Sequence, residues 1–255
     1  MDIGFRQATP DDVSAMVALW KLCFPEDDEA FIHRFFAEFP AECGLVACKG
    51  DLLAMLFLLP AAVVYRDKQY PVRYLYAGCT HPAYRNRGIY TRLLSFAAEQ
   101  AALLGARAIY LHPASDSLVE YYKRCGYRSG IGEWGMDGTG RNGTDISAED
   151  YVLKRAALAP SDTPVWQLSD EGNLFFLREM LADGWSTMGN EFFCGLLSQD
   201  GNYGYDCHGA ACGKSAVGVS GTEFRNTAMW LPIGDSPLHT IMDTKRGYTA
   251  FLGDI

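Results

Sequence analysis

Tyr74-Leu-Tyr-Ala-Gly-Cys-Thr-His-Pro-Ala-Tyr-Arg-Asn-Arg-Gly-Ile-Tyr-Thr-Arg-Leu-Leu94 is the stretch that decides the fold. An apolar strand runs into a short polar connection and then into the first turn of a helix rich in Arg. Such a junction suits an anion. The first-turn N–H groups and the positive end of the helix dipole can hold a phosphate or pyrophosphate, and Gly88 lets the backbone approach it closely. Arg85, Arg87 and Arg92 add positive charge to the same turn.

Working outward, residues 3–7 read as a strand, and Thr9-Pro10-Asp11-Asp12 opens a helix with a capping residue, Pro at its first position and acids in its first turn. Val13, Met16, Val17, Trp20 and Phe24 continue it at helical spacing, and Phe31, Phe35 and Phe39 mark the apolar stripe of a second helix, read as core packing. Gly44–Lys49, Leu52–Tyr65 and Tyr70–Thr80 form an antiparallel meander. Gly88–Leu104 is a long helix with Leu93, Ala97, Ala101 and Leu104 inward, followed by a strand at Arg107–Leu111, a helix at Ser115–Cys125 and a strand at Tyr127–Met136. The order βααβββαβαβ joins a meander to parallel crossover units, a mixed α/β (α+β) sheet flanked by helices.

The 255 residues carry a net charge of −9, with 49% apolar and 21% charged residues, the mix of a globular chain. That charge argues against a nucleic-acid partner and favours a cationic or amine substrate. The longest uncharged apolar run, Leu52–Val64, contains Pro60 and falls short of the ~20 residues of a spanning helix. With no membrane segment, no secretory leader and eight cysteines without a CxxC pair, the chain is expected to be cytoplasmic with reduced thiols, which makes the Asn142-Gly-Thr144 sequon incidental.

Arg85-Asn86-Arg87-Gly88-Ile89-Tyr90 resembles the Q/RxxGxG/A pyrophosphate loop of the GNAT superfamily of acyl-CoA-dependent N-acyltransferases. Thirty-four residues after Gly88, Tyr122-Lys-Arg-Cys-Gly126-Tyr127 resembles that family's YxxxGF element. The resemblance covers residues 3 to about 137 and implies a GNAT-like sheet and acetyl-CoA as co-substrate. It departs at Tyr90, where Gly or Ala is usual, and at Ser115 and Leu118, where many members carry Asn and Ala.

Thioester aminolysis needs a neutral amine, fixed donors for the oxyanion and an acid for the departing thiolate. The resemblance implies that a backbone N–H near Cys79 or Thr80 serves as the donor, that Arg85, Asn86, Arg87, Gly88, Ile89 and Tyr90 hold the pyrophosphate, and that Ser115 reaches the pantetheine arm. It also implies that Tyr122 is the general acid. No general base is visible. The cluster Glu26-Asp27-Asp28-Glu29 falls where the family places the acceptor mouth, to attract an amine or simply to start a helix in solvent. Members of the enhanced-intracellular-survival type can use the terminal carboxylate, which makes Ile255 a candidate by analogy.

Residues 138–147, polar and with three glycines, read as a linker between a catalytic domain at 1–137 and an accessory α+β lobe at 148–255. That lobe loosely resembles the second lobe of the enhanced-intracellular-survival type and is expected to wall one side of the acceptor cleft. A helix is expected at Ala148 to about Leu158, one at Glu171–Leu181 and one after Ser236-Pro237, with short strands between. Gly209-Ala-Ala-Cys-Gly213-Lys214-Ser215 has one residue too few between its glycines for a P-loop. Cys207, His208 and Cys212 leave a metal site unclosed, so none is expected. Cys79 reads as a small packed hydrophobe, and His81 and His112, beside prolines at strand ends, as turn residues. The function expected is acetyl transfer from acetyl-CoA to a small-molecule or peptide amine in a ternary complex; the alternative is a non-catalytic acyl-CoA-binding or sensing module.

Overall fold

The meander forms because its apolar residues alternate between two covered faces. In a computed structural model, which describes residues 2–137, 144–158, 162–191, 193–197, 203–209, 222–245 and 247–249, the first half runs β1 (Gly4–Gln7), α1 (Val13–Cys23), α2 (Glu29–Glu38), β2 (Gly44–Lys49), β3 (Asp51–Tyr65), β4 (Lys68–Thr80), α3 (Ile89–Leu103), β5 (Ala108–Leu111), α4 (Asp116–Arg124) and β6 (Arg128–Asp137). Along β3, Met55, Phe57, Leu59 and Val63 join a cluster with Trp20 and Phe35, while Leu53, Leu56 and Leu58 join one with Leu93 and Ala97. Helices α1 and α2 therefore cover one face and α3 the other. Leu104 does not follow the expected inward stripe: α3 ends one residue earlier, and its side chain is 55% exposed.

The second half contributes β7 (Thr144–Asp145), α5 (Ala148–Leu158), β8 (Val165–Leu168), α6 (Asp170–Ala182), β9 (Ser186–Gly189), β10 (Phe193–Leu197), β11 (Tyr203–Gly209), β12 (Thr222–Pro232), α7 (Leu238–Thr244) and β13 (Gly247–Thr249). Its helices stand where the sequence put them. Strands β7, β8 and β9 were not expected; they have four residues or fewer, too short for a period to show. Helices α5 and α6 pack together and against β9 and β10 as a smaller α+β lobe.

The sheet does not divide at 138–147. Strand β12 lies antiparallel between β5 and β6, pairing Met229 with Leu111 on one side and Trp230 with Arg128 on the other. Residues 138–143 lie outside the described residues, and Thr144–Asp145 pairs with β9. A second join uses β3, which pairs with β2 as far as Phe57 and with β8 from Ala61 onward. Pro60, which has no N–H to give a ladder, occupies the gap between the two partners. One hydrophobic cluster accordingly runs from Trp20 and Phe35 through Phe175 and Phe176 to Trp166 and Tyr151.

The accessory lobe reaches the cleft through α2. Arg34 makes two hydrogen bonds to Glu179 on α6, at 2.8 and 2.6 Å, and Phe175 packs against Phe31, Phe35 and Phe39. Since β12 completes the first sheet, a chain ended after Asp137 leaves β5 without a partner on that side and removes buried Met229 and Trp230. Such a fragment is expected to show no cooperative thermal transition by circular dichroism. A soluble 1–137 fragment with a sharp melt and native-like ellipticity contradicts this account.

Candidate functional site

Strand β4 parts from β5 almost as soon as it meets it. The parallel ladder comprises Arg73 opposite Ile109 and Tyr74 opposite Tyr110, so the backbone of residues 75–80 has no β5 partner. On its other edge the register against β3 slips between Phe57–Tyr76 and Met55–Cys79, which leaves one extra residue in β4. Ala77 takes up the bulge with φ +45°, a left-handed conformation that costs a side-chain-bearing residue free energy and is found at constrained sites. The result is a short stretch of strand backbone facing an open cleft.

The loop that follows presents the start of α3 to the same cleft. Gly88 precedes the helix with φ +69°, and no side chain caps the first turn. Its amides are therefore available to an anion. The arginines do not gather there as the sequence suggested. Arg85 turns back to the strand, where its Nε donates to the Thr80 carbonyl at 3.1 Å. The Arg87 guanidinium lies over the Tyr84 ring at 5.2 Å, and that of Arg92 over Phe5 at 4.7 Å. What the loop offers an anion is therefore chiefly its backbone dipoles.

Two adjoining cavities share Phe24, Gly78, Leu118 and Tyr122. The outer one, of about 480 Å³, runs along Cys79, Thr80, Asn86 and Gly88 to Ile89 and Tyr90. The other, of about 340 Å³, lies in the gap between β4 and β5 and is walled by Trp20, Tyr74 and Tyr76, with Glu26, Asp27 and His112 at its polar side. Tyr122 is 7% exposed and stands where they meet.

Two of the four clustered acids face this space and two build the helix start. Asp28 caps α2 by accepting the Phe31 N–H at 2.5 Å, and Glu29 pairs with Lys21 at 2.6 Å. Asp27 accepts the Trp20 indole N–H at 2.6 Å, and burial raises its pKa above the ordinary carboxylate value. His81 does serve its turn, accepting the Ala83 N–H at 3.2 Å. His112 does not: it lines the inner cavity, hydrogen-bonds the Thr227 backbone, and burial lowers its pKa to about 4, so the imidazole is neutral at pH 7. The sequence missed it because nothing in Leu-His-Pro says that the neighbouring strand diverges there.

Ser115 caps α4, accepting the Leu118 N–H at 3.4 Å, and lines neither cavity. Ile255, Cys212 and most of the P-loop-like stretch lie outside the described residues, as does Asn142. Among the described residues, no group of three or more His, Cys, Asp or Glu side chains could hold a metal, and no helix is long and apolar enough to cross a membrane. Among the described residues, none of the accessory lobe lines either cavity; Phe176 instead packs on Tyr76, at 5.1 Å between ring centroids, behind the wall.

Residues 4–130 match the family model described as an acetyltransferase (GNAT) domain. Among solved structures, the chain resembles a GCN5-related N-acetyltransferase from Anabaena variabilis with a TM-score of 0.67 at 11% identity, over 91% of this chain and 73% of that one. It resembles Eis1 from Mycobacterium abscessus with a TM-score of 0.66 at 11% identity, over 91% and 74%. A putative acetyltransferase from Pyrococcus horikoshii gives 0.55 at 13% identity, over 99% and 96%. At these identities the likeness is one of fold, and its extent takes in the accessory lobe. No curated protein matches the chain by sequence.

The outer cavity holds one activated thiol. Cys23, at the end of α1, is brought from 9.0 down to about 7 by a hydrogen bond with Cys79 and, next, by Arg85, whose Nη2 lies 3.9 Å from its sulfur. Alkylation of Cys23 by iodoacetamide, followed by mass spectrometry against pH, is expected to show a midpoint near 7. Cys79→Ala should move the midpoint upward most and Arg85→Met less; a midpoint unmoved by both refutes the assignment.

Proposed function

The chain belongs to the GNAT acetyltransferase family through residues 4–130, and from that premise we propose that it transfers an acetyl group from acetyl-CoA to a primary amine by direct attack in a ternary complex. One observation carries the reading: β4 backbone that has parted from β5, uncapped α3 amides and Tyr122 converge on two adjoining cavities. The outer cavity suits the diphosphate end of the co-substrate, held by the amides from Gly88 to Thr91. The backbone of residues 75–80 suits the amides of the pantetheine arm, which meet a strand edge as another strand would. Backbone N–H groups at the Ala77–Gly78 bulge supply the fixed donors that a developing oxyanion requires.

The inner cavity suits the amine. Trp20, Phe24, Tyr74 and Tyr76 give it aromatic walls, and Glu26 with Asp27 gives it negative charge, a pairing that attracts an ammonium group. The amine must lose a proton before it attacks, and the groups in that wall that can accept it are Asp27, whose pKa burial raises, and the neutral imidazole of His112. Tyr122, between the cavities, gives its proton to the departing CoA sulfur.

Acetyl-CoA is expected to stabilise the protein, by about 2.7 kcal/mol at a hundred times its Kd, and the rise in Tm should vanish in Gly88→Asp, which sets a carboxylate against the anion. Thiol release over an amine panel tests the chemistry: binding without release in any case makes the chain a non-catalytic acyl-CoA-binding module.

Tyr122→Phe and His112→Gln should each lower kcat on the order of a hundredfold, with acetyl-CoA binding retained. Unchanged turnover in His112→Gln removes His112 as the proton acceptor.

A further inference from the structure

Tyr90 occupies a position where the loop pattern usually has Gly or Ala, and its side chain does not turn away from the site. It crosses from the first turn of α3 to the bulge of β4 and ends at the catalytic cleft. Its hydroxyl lies 3.3 Å from that of Tyr122. A methyl group on Gly78 would collide with the Tyr90 hydroxyl, so the absence of a side chain on β4 gives the phenol its seat. The small residue expected on the helix stands instead on the strand that faces it. Tyr90 is also held laterally by Tyr121, stacked at 6.2 Å between centroids, whose hydroxyl is 3.0 Å from that of Thr91.

We propose that Tyr90 is a positioning residue for acetyl transfer: its hydroxyl donates a hydrogen bond to the Tyr122 oxygen, orienting that phenol and stabilising it once its proton has gone to the CoA sulfur. The inference rests on the acetyltransfer reading above. In the step concerned, the amine–carbonyl bond has formed, the C–S bond breaks, and the leaving sulfur takes the Tyr122 proton. The Tyr122 oxygen then bears the negative charge until it recovers a proton, equal in number to the one that the amine released. A donor fixed beside it lowers the cost of that interval. Tyr90 can serve because it keeps its own proton: burial, and next the neighbouring Tyr122, push its phenol well above the ordinary value.

The titratable surroundings are few and come from every element packed here. Helix α4 supplies Tyr121, with Cys125 just beyond its end, and Tyr127 precedes β6 with its ring 5.3 Å from that of Tyr122. Strand β4 supplies Cys79, the end of β5 His112, the segment after α1 Glu26 and Asp27, and the outer cavity Cys23 and Arg85. Among these, the Tyr90 hydroxyl lies within hydrogen-bond distance of the Tyr122 hydroxyl.

Tyr90→Phe keeps the ring and removes the donor. Thiol release should fall roughly ten- to hundredfold in kcat, the loss of a hydrogen bond to a charged oxygen, with KM for acetyl-CoA little changed. The alkaline limb of kcat, which belongs to the phenol pair, should move to higher pH because Tyr122 ionises less readily without its donor. Tyr122→Phe should abolish that limb, and adding Tyr90→Phe to it should cost nothing more. Wild-type kcat and limb in Tyr90→Phe, or full additivity in the double variant, overturns the proposal. Should the wild type release no thiol with any amine, the acetyltransfer reading fails by itself, and phenolate absorbance still tests the pair. The wild-type minus Tyr122→Phe titration must then lie at lower pH than the same difference measured in the Tyr90→Phe background; coincident titrations refute the hydrogen bond.

Discussion

The site depends on a conflict of registers in β4. Against β3 the strand holds an antiparallel ladder from Tyr65–Lys68 up to Phe57–Tyr76, then admits an extra residue and resumes at Met55–Cys79. Against β5 it holds two parallel pairs and then nothing. A strand paired on both sides is closed to ligands, because its N–H and C=O groups are used up. Here one edge is released over the residues where the other edge is kinked, so polar backbone faces a cleft while still fixed from behind. The constraint is met by burial: Met55, Phe57 and Leu59 are each fully buried, so β3 cannot shift to relieve the bulge without exposing them.

Much of the frame was legible in the sequence because its elements are long and periodic. The meander, the long helix after Gly88 and the helix from Ser115 stand within a few residues of where apolar spacing and capping residues put them. What was illegible is non-local. Nothing in Met229-Trp-Leu-Pro232 says that it slides between two strands far earlier in the chain, since an antiparallel register leaves no mark on either partner's sequence. A composition shift at 138–147 marks a polar connection, and says nothing of the strands that pair across it, β12 with β5 and β6, and β8 with β3. Pro60 did carry the information, as a residue unable to donate, but the two partners it separates had to be seen before it could be read.

The site was legible in the same uneven way. Gly88 lines the outer cavity, and Tyr122 lines both. Arginine count misled, because a guanidinium on a long stem finds the nearest acceptor or ring. Thr80, Tyr84 and Phe5 each take one, leaving the loop to its amides. His112 escaped notice for the opposite reason: its chemistry comes from the gap beside it, which belongs to the topology.

The accessory lobe acts on this site at one remove. It supplies no lining residue among those described, but it fixes the elements that do. Arg34 and Glu179 tie α2 to α6 through two hydrogen bonds, and Phe176 backs Tyr76 where β4 begins to diverge. A surface ion pair contributes little by itself, and this one has Arg34 half exposed. Its partners are aromatic: Phe31, Phe35 and Phe39 all meet Phe175, and burial of such rings is worth several times more than the pair. The inner cavity is thus backed mainly by rings packed behind Trp20 and Tyr76, and the ion pair adds a second tie between α2 and α6.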